Sequence, residues 1–111
     1  MTYKVFYCFY GEKAEVASGD PVEAELAEIQ STLLFRLGAD KDFLGLIDEA
    51  GTTLQIMYYA NGDRYWTEVP VTADGGSYGA YLSFAEISDL LAKLPRLFSA
   101  TAFPSFGFEK W

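Results

Sequence analysis

The chain has 111 residues, half of them hydrophobic and 17% aromatic, and a formal charge of −8 from 16 acids against 8 bases. That size fits one domain spanning residues 1–111, too apolar for a disordered chain and too acidic to expect nucleic acid as a partner. With no histidine and a single cysteine, it lacks the usual general base, the imidazole metal ligand, any internal disulfide and a thiolate zinc site.

The N-terminal run MTYKVFYCFY has no long aliphatic core and no small-residue cleavage site, so it reads as a strand and not as a signal peptide. Residues Tyr3 to Tyr10 are apolar on both faces, which suggests an interior strand covered on both sides. No window approaches the length of a membrane span. A cytoplasmic setting follows as the expectation, and the lone Cys8 agrees with it. A buried thiol in such a strand acts as a small hydrophobe.

The polar stretch Gly11 to Gly19 comes next. Asp20-Pro21-Val22-Glu23 then reads as a helix start, with a capping aspartate, a proline in the first turn and a glutamate three residues on. Val22, Leu26, Ile29, Leu33 and Leu37 follow at helical spacing, and Gly38 can end the helix. These signals predict a first helix over 21–37 with Glu25 and Glu28 on its outer face.

Phe43 to Ile47 reads as a strand, Asp48 to Gly51 as a solvated turn and Thr53 to Tyr59 as the next strand. Asn61-Gly62 is the strongest hairpin signal, because both residues accept the positive φ of a type I′ turn, and Arg64 to Val71 returns. Counting from that turn sets Tyr59 opposite Arg64, Tyr58 opposite Tyr65, Met57 opposite Trp66 and Gln55 opposite Glu68. One face then holds Leu54, Ile56, Tyr58, Tyr65, Thr67 and Val69, the core set. The other holds Gln55, Met57, Tyr59, Arg64, Trp66 and Glu68.

Thr72 to Ser77 reads as a loop and Tyr78 to Leu82 as a short strand. Ser83-Phe84-Ala85-Glu86 is a capping box, with Leu82 and Ile87 placed to form a hydrophobic staple. Ile87, Leu90, Leu91 and Leu94 give the second helix its buried stripe, and Pro95 stops it. The aromatic tail, Arg96 to Trp111, ends in a closing strand in which Phe106, Phe108 and Lys110 alternate with Gly107, Glu109 and Trp111. The order implies an α+β fold: a mainly antiparallel sheet of about five to six strands with two helices on one face.

Motifs that could carry chemistry are weak. Asp48 and Glu49 are adjacent and diverge in an extended chain. Asp40-Lys41-Asp42 lacks the glycine and distal glutamate of a calcium loop. Gly75 to Gly79 leads into a strand with no base nearby, unlike a phosphate cradle. No motif calls for a cofactor or a metal, and a non-enzymatic protein is expected.

Two surfaces remain as candidates for binding a protein. The first is the hairpin face of Met57, Tyr59, Arg64, Trp66 and Glu68, since Tyr, Trp, Met and Arg are enriched at interfaces. Its cross-strand cation–π and sulfur–aromatic pairs also suit a closed core. The second is the acidic segment Glu12 to Glu28, with Glu23, Glu25 and Glu28 at its end, which either solubilises the chain or steers a basic partner.

The run Tyr65-Trp66-Thr67-Glu68-Val69-Pro70, the helix Phe84 to Leu94 with Pro95, and the closing Phe108-Glu109-Lys110-Trp111 resemble immunity proteins of bacterial polymorphic toxin systems. The resemblance covers residues 54–111. It implies a small cytoplasmic α+β protein that binds and neutralises a cognate toxin, and it carries over no contact residue. A binder that occludes a basic toxin or enzyme is therefore the leading expectation. A small-ligand domain with an aromatic-lined pocket, and a homodimer joined through the aromatic face, are the alternatives.

Overall fold

The computed structural model describes residues 1–99 and 102–111. Residues 100 and 101, inside the expected aromatic tail, lie outside the described residues. Eight strands form one antiparallel sheet: β1 (Thr2–Phe9), β2 (Ala14–Val16), β3 (Val22–Glu25), β4 (Phe43–Ile47), β5 (Thr53–Tyr59), β6 (Arg64–Val71), β7 (Gly76–Leu82) and β8 (Gly107–Lys110). The order across the sheet is β2-β1-β4-β5-β6-β7-β8, with β3 also on β1. The fold is α+β as expected, with more strands than expected.

The difference lies at one edge. Val16 pairs with Tyr7 and Val22 pairs with Val5, so β2 and β3 lie end to end along the same side of β1. Residues 17–21 make an excursion opposite the single residue Phe6. The expected helix start is thus a strand: residues 22–25 pair with Val5 to Thr2, and the Leu26 amide donates to the Met1 carbonyl at 2.9 Å. Unpaired edge groups on β1 accept these residues, and Pro21 sits outside the ladder, where its missing N–H costs nothing. Helical structure begins only at Leu26. One α turn, α1 (Leu26–Glu28), runs on as a π turn (Ile29–Leu33) and a 3₁₀ turn (Leu34–Arg36). Ile29, Leu33, Leu34 and Leu37 are buried, so the apolar stripe survives although the helix is shorter.

The second helix, α2 (Phe84–Ala92), starts on the expected capping box. The Ser83 hydroxyl accepts from the Glu86 amide at 3.2 Å, and the Glu86 carboxylate accepts from the Ser83 amide at 2.9 Å. Both helical segments and the tail cover the same sheet face. Ile29, Leu33, Leu34, Ile87, Leu91, Phe98, Phe103 and Phe106 join Val5, Leu44, Leu46, Leu54, Ile56, Tyr65 and Val69 in one core.

Three aspartates tie the connections to this frame. Asp42 accepts from the amides of Tyr10, Gly38 and Ala39 at 2.7–3.0 Å. Asp40 accepts from the Ala60 amide at 3.0 Å. Asp48 is buried and is not the solvated turn residue expected. It accepts from Ala50 and Thr52 within its own turn and from Phe98 at 2.7 Å, which pins the tail to the β4–β5 connection. A carboxylate can accept several amide hydrogens at once, so one side chain satisfies donors that irregular loops would otherwise bury unpaired.

The hairpin register agrees with the count, from Tyr59 opposite Arg64 to Gln55 opposite Glu68. The turn type does not. Positive φ falls at Gly62 (+90°) and Asp63 (+48°), and not at Asn61. The Asp63 amide donates to the Ala60 carbonyl at 3.2 Å, and the Tyr58 hydroxyl donates to Asp63 Oδ1 at 2.9 Å, holding Asp63 in the left-handed region. Strand pairing on both sides fixes the register, so the turn can move its strained residue along by one position without disturbing it.

Candidate functional site

The helices occupy the aliphatic face, which leaves the opposite face of β5, β6, β7 and β8 half open. Side chains alternate along each strand, so the register sets the neighbours. Trp66 lies between Met57 and Tyr81, and Glu68 lies between Gln55 and Gly79. Ser77 and Glu109 share the next row, and Gly79 faces Gly107 across β7 and β8.

The two facing glycines leave a bare stretch of backbone. Trp66 uses it: its six-membered ring lies over Gly79, where an added Cβ would sit 2.7 Å from the ring and 2.8 Å from the Thr67 carbonyl. The same device recurs three strands away, where the Phe6 ring lies over Gly45 and a Cβ there would overlap it. A large ring laid over a glycine buries one of its own faces and shields the exposed backbone. Around Trp66 the other rings gather. Tyr81 is at 4.9 Å and tilted by 56°, and Tyr59 meets Tyr81 edge-on at 6.1 Å. The Trp66 indole N–H donates to Glu68 Oε2, which fixes the carboxylate beside the ring.

The result is an open cleft of about 250 Å³ lined by Tyr59, Trp66, Glu68, Ser77, Tyr81, Glu109, Lys110 and Trp111. Tyr81 is 49% exposed and Trp111 66% exposed. Ser77 is buried at the base, and among the described residues the Glu109 side chain has no hydrogen bond or ion pair. The cleft is a shallow platform of aromatic rings and carboxylates. It offers stacking and charge. Among the described residues no three His, Cys, Asp or Glu side chains group to hold a metal ion, and no helix is long and apolar enough to cross a membrane.

The structure brings Met57, Tyr59, Arg64, Trp66 and Glu68 onto one face, as the register required. One of the expected contacts differs. The Arg64 guanidinium lies over Tyr81, 4.0 Å from its centroid, and not over Tyr59. Trp66, the register partner of Met57, has its six-membered ring over Gly79 on β7, where the sheet carries no side chain. On the covered face the Tyr65 phenol is raised by burial, and on the hairpin the Tyr58 phenol is raised by its bond to Asp63.

The acidic residues do not form one helical face. Glu23 and Glu25 are on β3, where Glu25 meets the Met1 amino group at 3.4 Å. Glu28 is in α1, beyond the strand, and Glu12 is paired with Arg36 at 2.9 Å. From β3 to β6 is four strand spacings, roughly 19 Å, so the two candidate surfaces are separate. Tyr81, Glu109, Trp111 and the paired glycines went unnoticed in sequence. The alternation of Tyr81 with Leu82, and of Glu109 and Trp111 with Phe108 and Lys110, carried the signal. The loop after β6 hid the register needed to use it.

No family model, curated protein or solved structure matches this chain.

Proposed function

We propose that this chain is a non-enzymatic protein-binding domain of the immunity or inhibitor type, acting in the cytoplasm by covering a basic surface of a toxin or enzyme partner. The observation that supports it most is the half-open face around Trp66, where aromatic rings and carboxylates lie on a rigid sheet. Interface anchors are typically large rings in part-desolvated settings, ringed by polar groups. The net charge of −8 favours a basic partner, and Glu23 and Glu25 on the far edge, with Glu28 beyond them, extend that field.

The test uses the protein encoded beside this one in its genome, purified, with binding followed by surface plasmon resonance. Trp66→Ala is expected to weaken the complex about 30-fold or more, the equivalent of roughly 2 kcal/mol, mainly by faster dissociation. Replacing Glu23, Glu25 and Glu28 together with glutamine is expected to slow association at low salt and to have little effect at high salt. Failure of the neighbour to bind, or full binding by Trp66→Ala, overturns the reading.

A further inference from the structure

The cleft beside Trp66 has a chemistry narrower than that of a general docking face. Buried Ser77 lies at its base, and the Trp66 ring beside it covers the backbone of Gly79. Its walls are the rings of Trp66, Tyr81 and Trp111, and it holds two carboxylates against one ammonium, Lys110. Glu68 is already oriented by the indole N–H, and the Glu109 side chain has no partner among the described residues. An anion would meet both carboxylates. A purely apolar group would desolvate them without replacing their hydrogen bonds, which is costly. A cation with a flat, weakly hydrated face suits every wall.

We propose that this cleft is a subsite for one guanidinium group, an arginine side chain of the protein partner. The assignment rests on the protein-binding reading for the source of the arginine and on the cleft itself for its chemistry. A guanidinium stacks on an aromatic ring through its plane and donates two parallel hydrogen bonds to a carboxylate through its edge. A lysine ammonium is a compact, strongly hydrated point charge and can do only part of this. The face already shows the interaction once within the chain, where Arg64 stacks on Tyr81 at 4.0 Å.

The experiment titrates the intact protein, labelled with ¹⁵N, with N-acetyl-arginine methylamide, and follows the two indole N–H signals, assigned with Trp111→Phe. The arginine probe is expected to move the Trp66 signal saturably, with half-saturation at roughly millimolar concentration. The neutral citrulline analogue and the lysine analogue are expected to bind at least about tenfold more weakly. Glu109→Gln, at an exposed position that leaves folding intact, is expected to weaken the arginine response several-fold, and Glu68→Gln to weaken it further. No saturable shift, an equal response to citrulline or lysine, or an unchanged response in both glutamine variants overturns the subsite. Loss of the subsite with partner binding intact leaves the protein-binding reading standing, and the reverse outcome removes the partner and not the chemistry.

Discussion

The two faces of the central hairpin are built from alternate residues of the same two strands, yet they differ in every physical respect. On the covered face Leu54 and Ile56 have no exposed surface, and Tyr65 and Val69 have almost none. On the other face Gln55, Met57, Tyr59, Trp66 and Glu68 are all partly exposed. Aliphatic side chains dominate the first face against two helical segments, because branched carbon skeletons interdigitate closely, with Tyr65 and Thr67 among them. Rings, a thioether and carboxylates make up the second, where Trp66 rests on the Gly79 backbone and Tyr81 lies among Trp66, Tyr59 and Arg64. An aromatic residue need not be sealed in a core to have one face covered and its polar edge paired. A glycine beneath it and a hydrogen bond at its edge suffice for Trp66.

Adjacent residues on β5 test this contrast most sharply. Ile56→Ala is expected to cost about 3–4 kcal/mol of unfolding free energy, as the loss of a fully buried branched side chain does. Met57→Ala, one residue along and half exposed, is expected to cost about 1 kcal/mol. Urea denaturation of the two variants under one set of conditions checks both values, and equal losses would mean that the second face is also core. A smaller effect is expected at the hairpin tip. Gly62 has φ +90°, and Gly62→Val is expected to lower stability by about 1–2 kcal/mol, since a β-branched residue resists that conformation. An unchanged thermal midpoint would mean that the turn does not constrain the pairing that separates the faces. The smallest expected effect has the opposite sign. Thr67 is fully buried on the covered face, and its Oγ1 has no hydrogen-bond partner among the described residues. Thr67→Val keeps the shape and removes the orphaned hydroxyl, so a gain of about 1 kcal/mol is expected in the same denaturation experiment.

Much of the frame was legible because its signals are local. The strands 43–47, 53–59 and 64–71 carry their period-two patterns within a few residues of a turn, and Ser83 with Glu86 marks a helix start that depends on no distant contact. The first helix was misread for the complementary reason. Asp20-Pro21 and the spacing Val22, Leu26, Ile29 satisfy helical rules locally, but β1 presents a free edge, and residues 22–25 complete it. Which of two locally acceptable conformations prevails there depends on a pairing partner some twenty residues earlier in the chain.

The candidate site divides along the same line. The sequence by itself determined that Met57, Tyr59, Arg64, Trp66 and Glu68 share a face, because the period-two alternation of both strands, counted across one short connection, sets which side chains lie together. It also determined the acidity of the chain and its lack of histidine. Only the tertiary structure decided that the helices cover the opposite face, that Arg64 stacks on Tyr81, and that β7 places Gly79 beneath Trp66, with Gly107 of β8 as its neighbour in register. Strand pairing across the loop after β6, and across the long tail before β8, is set by the packing of the whole sheet against its core, and no local spacing encodes it.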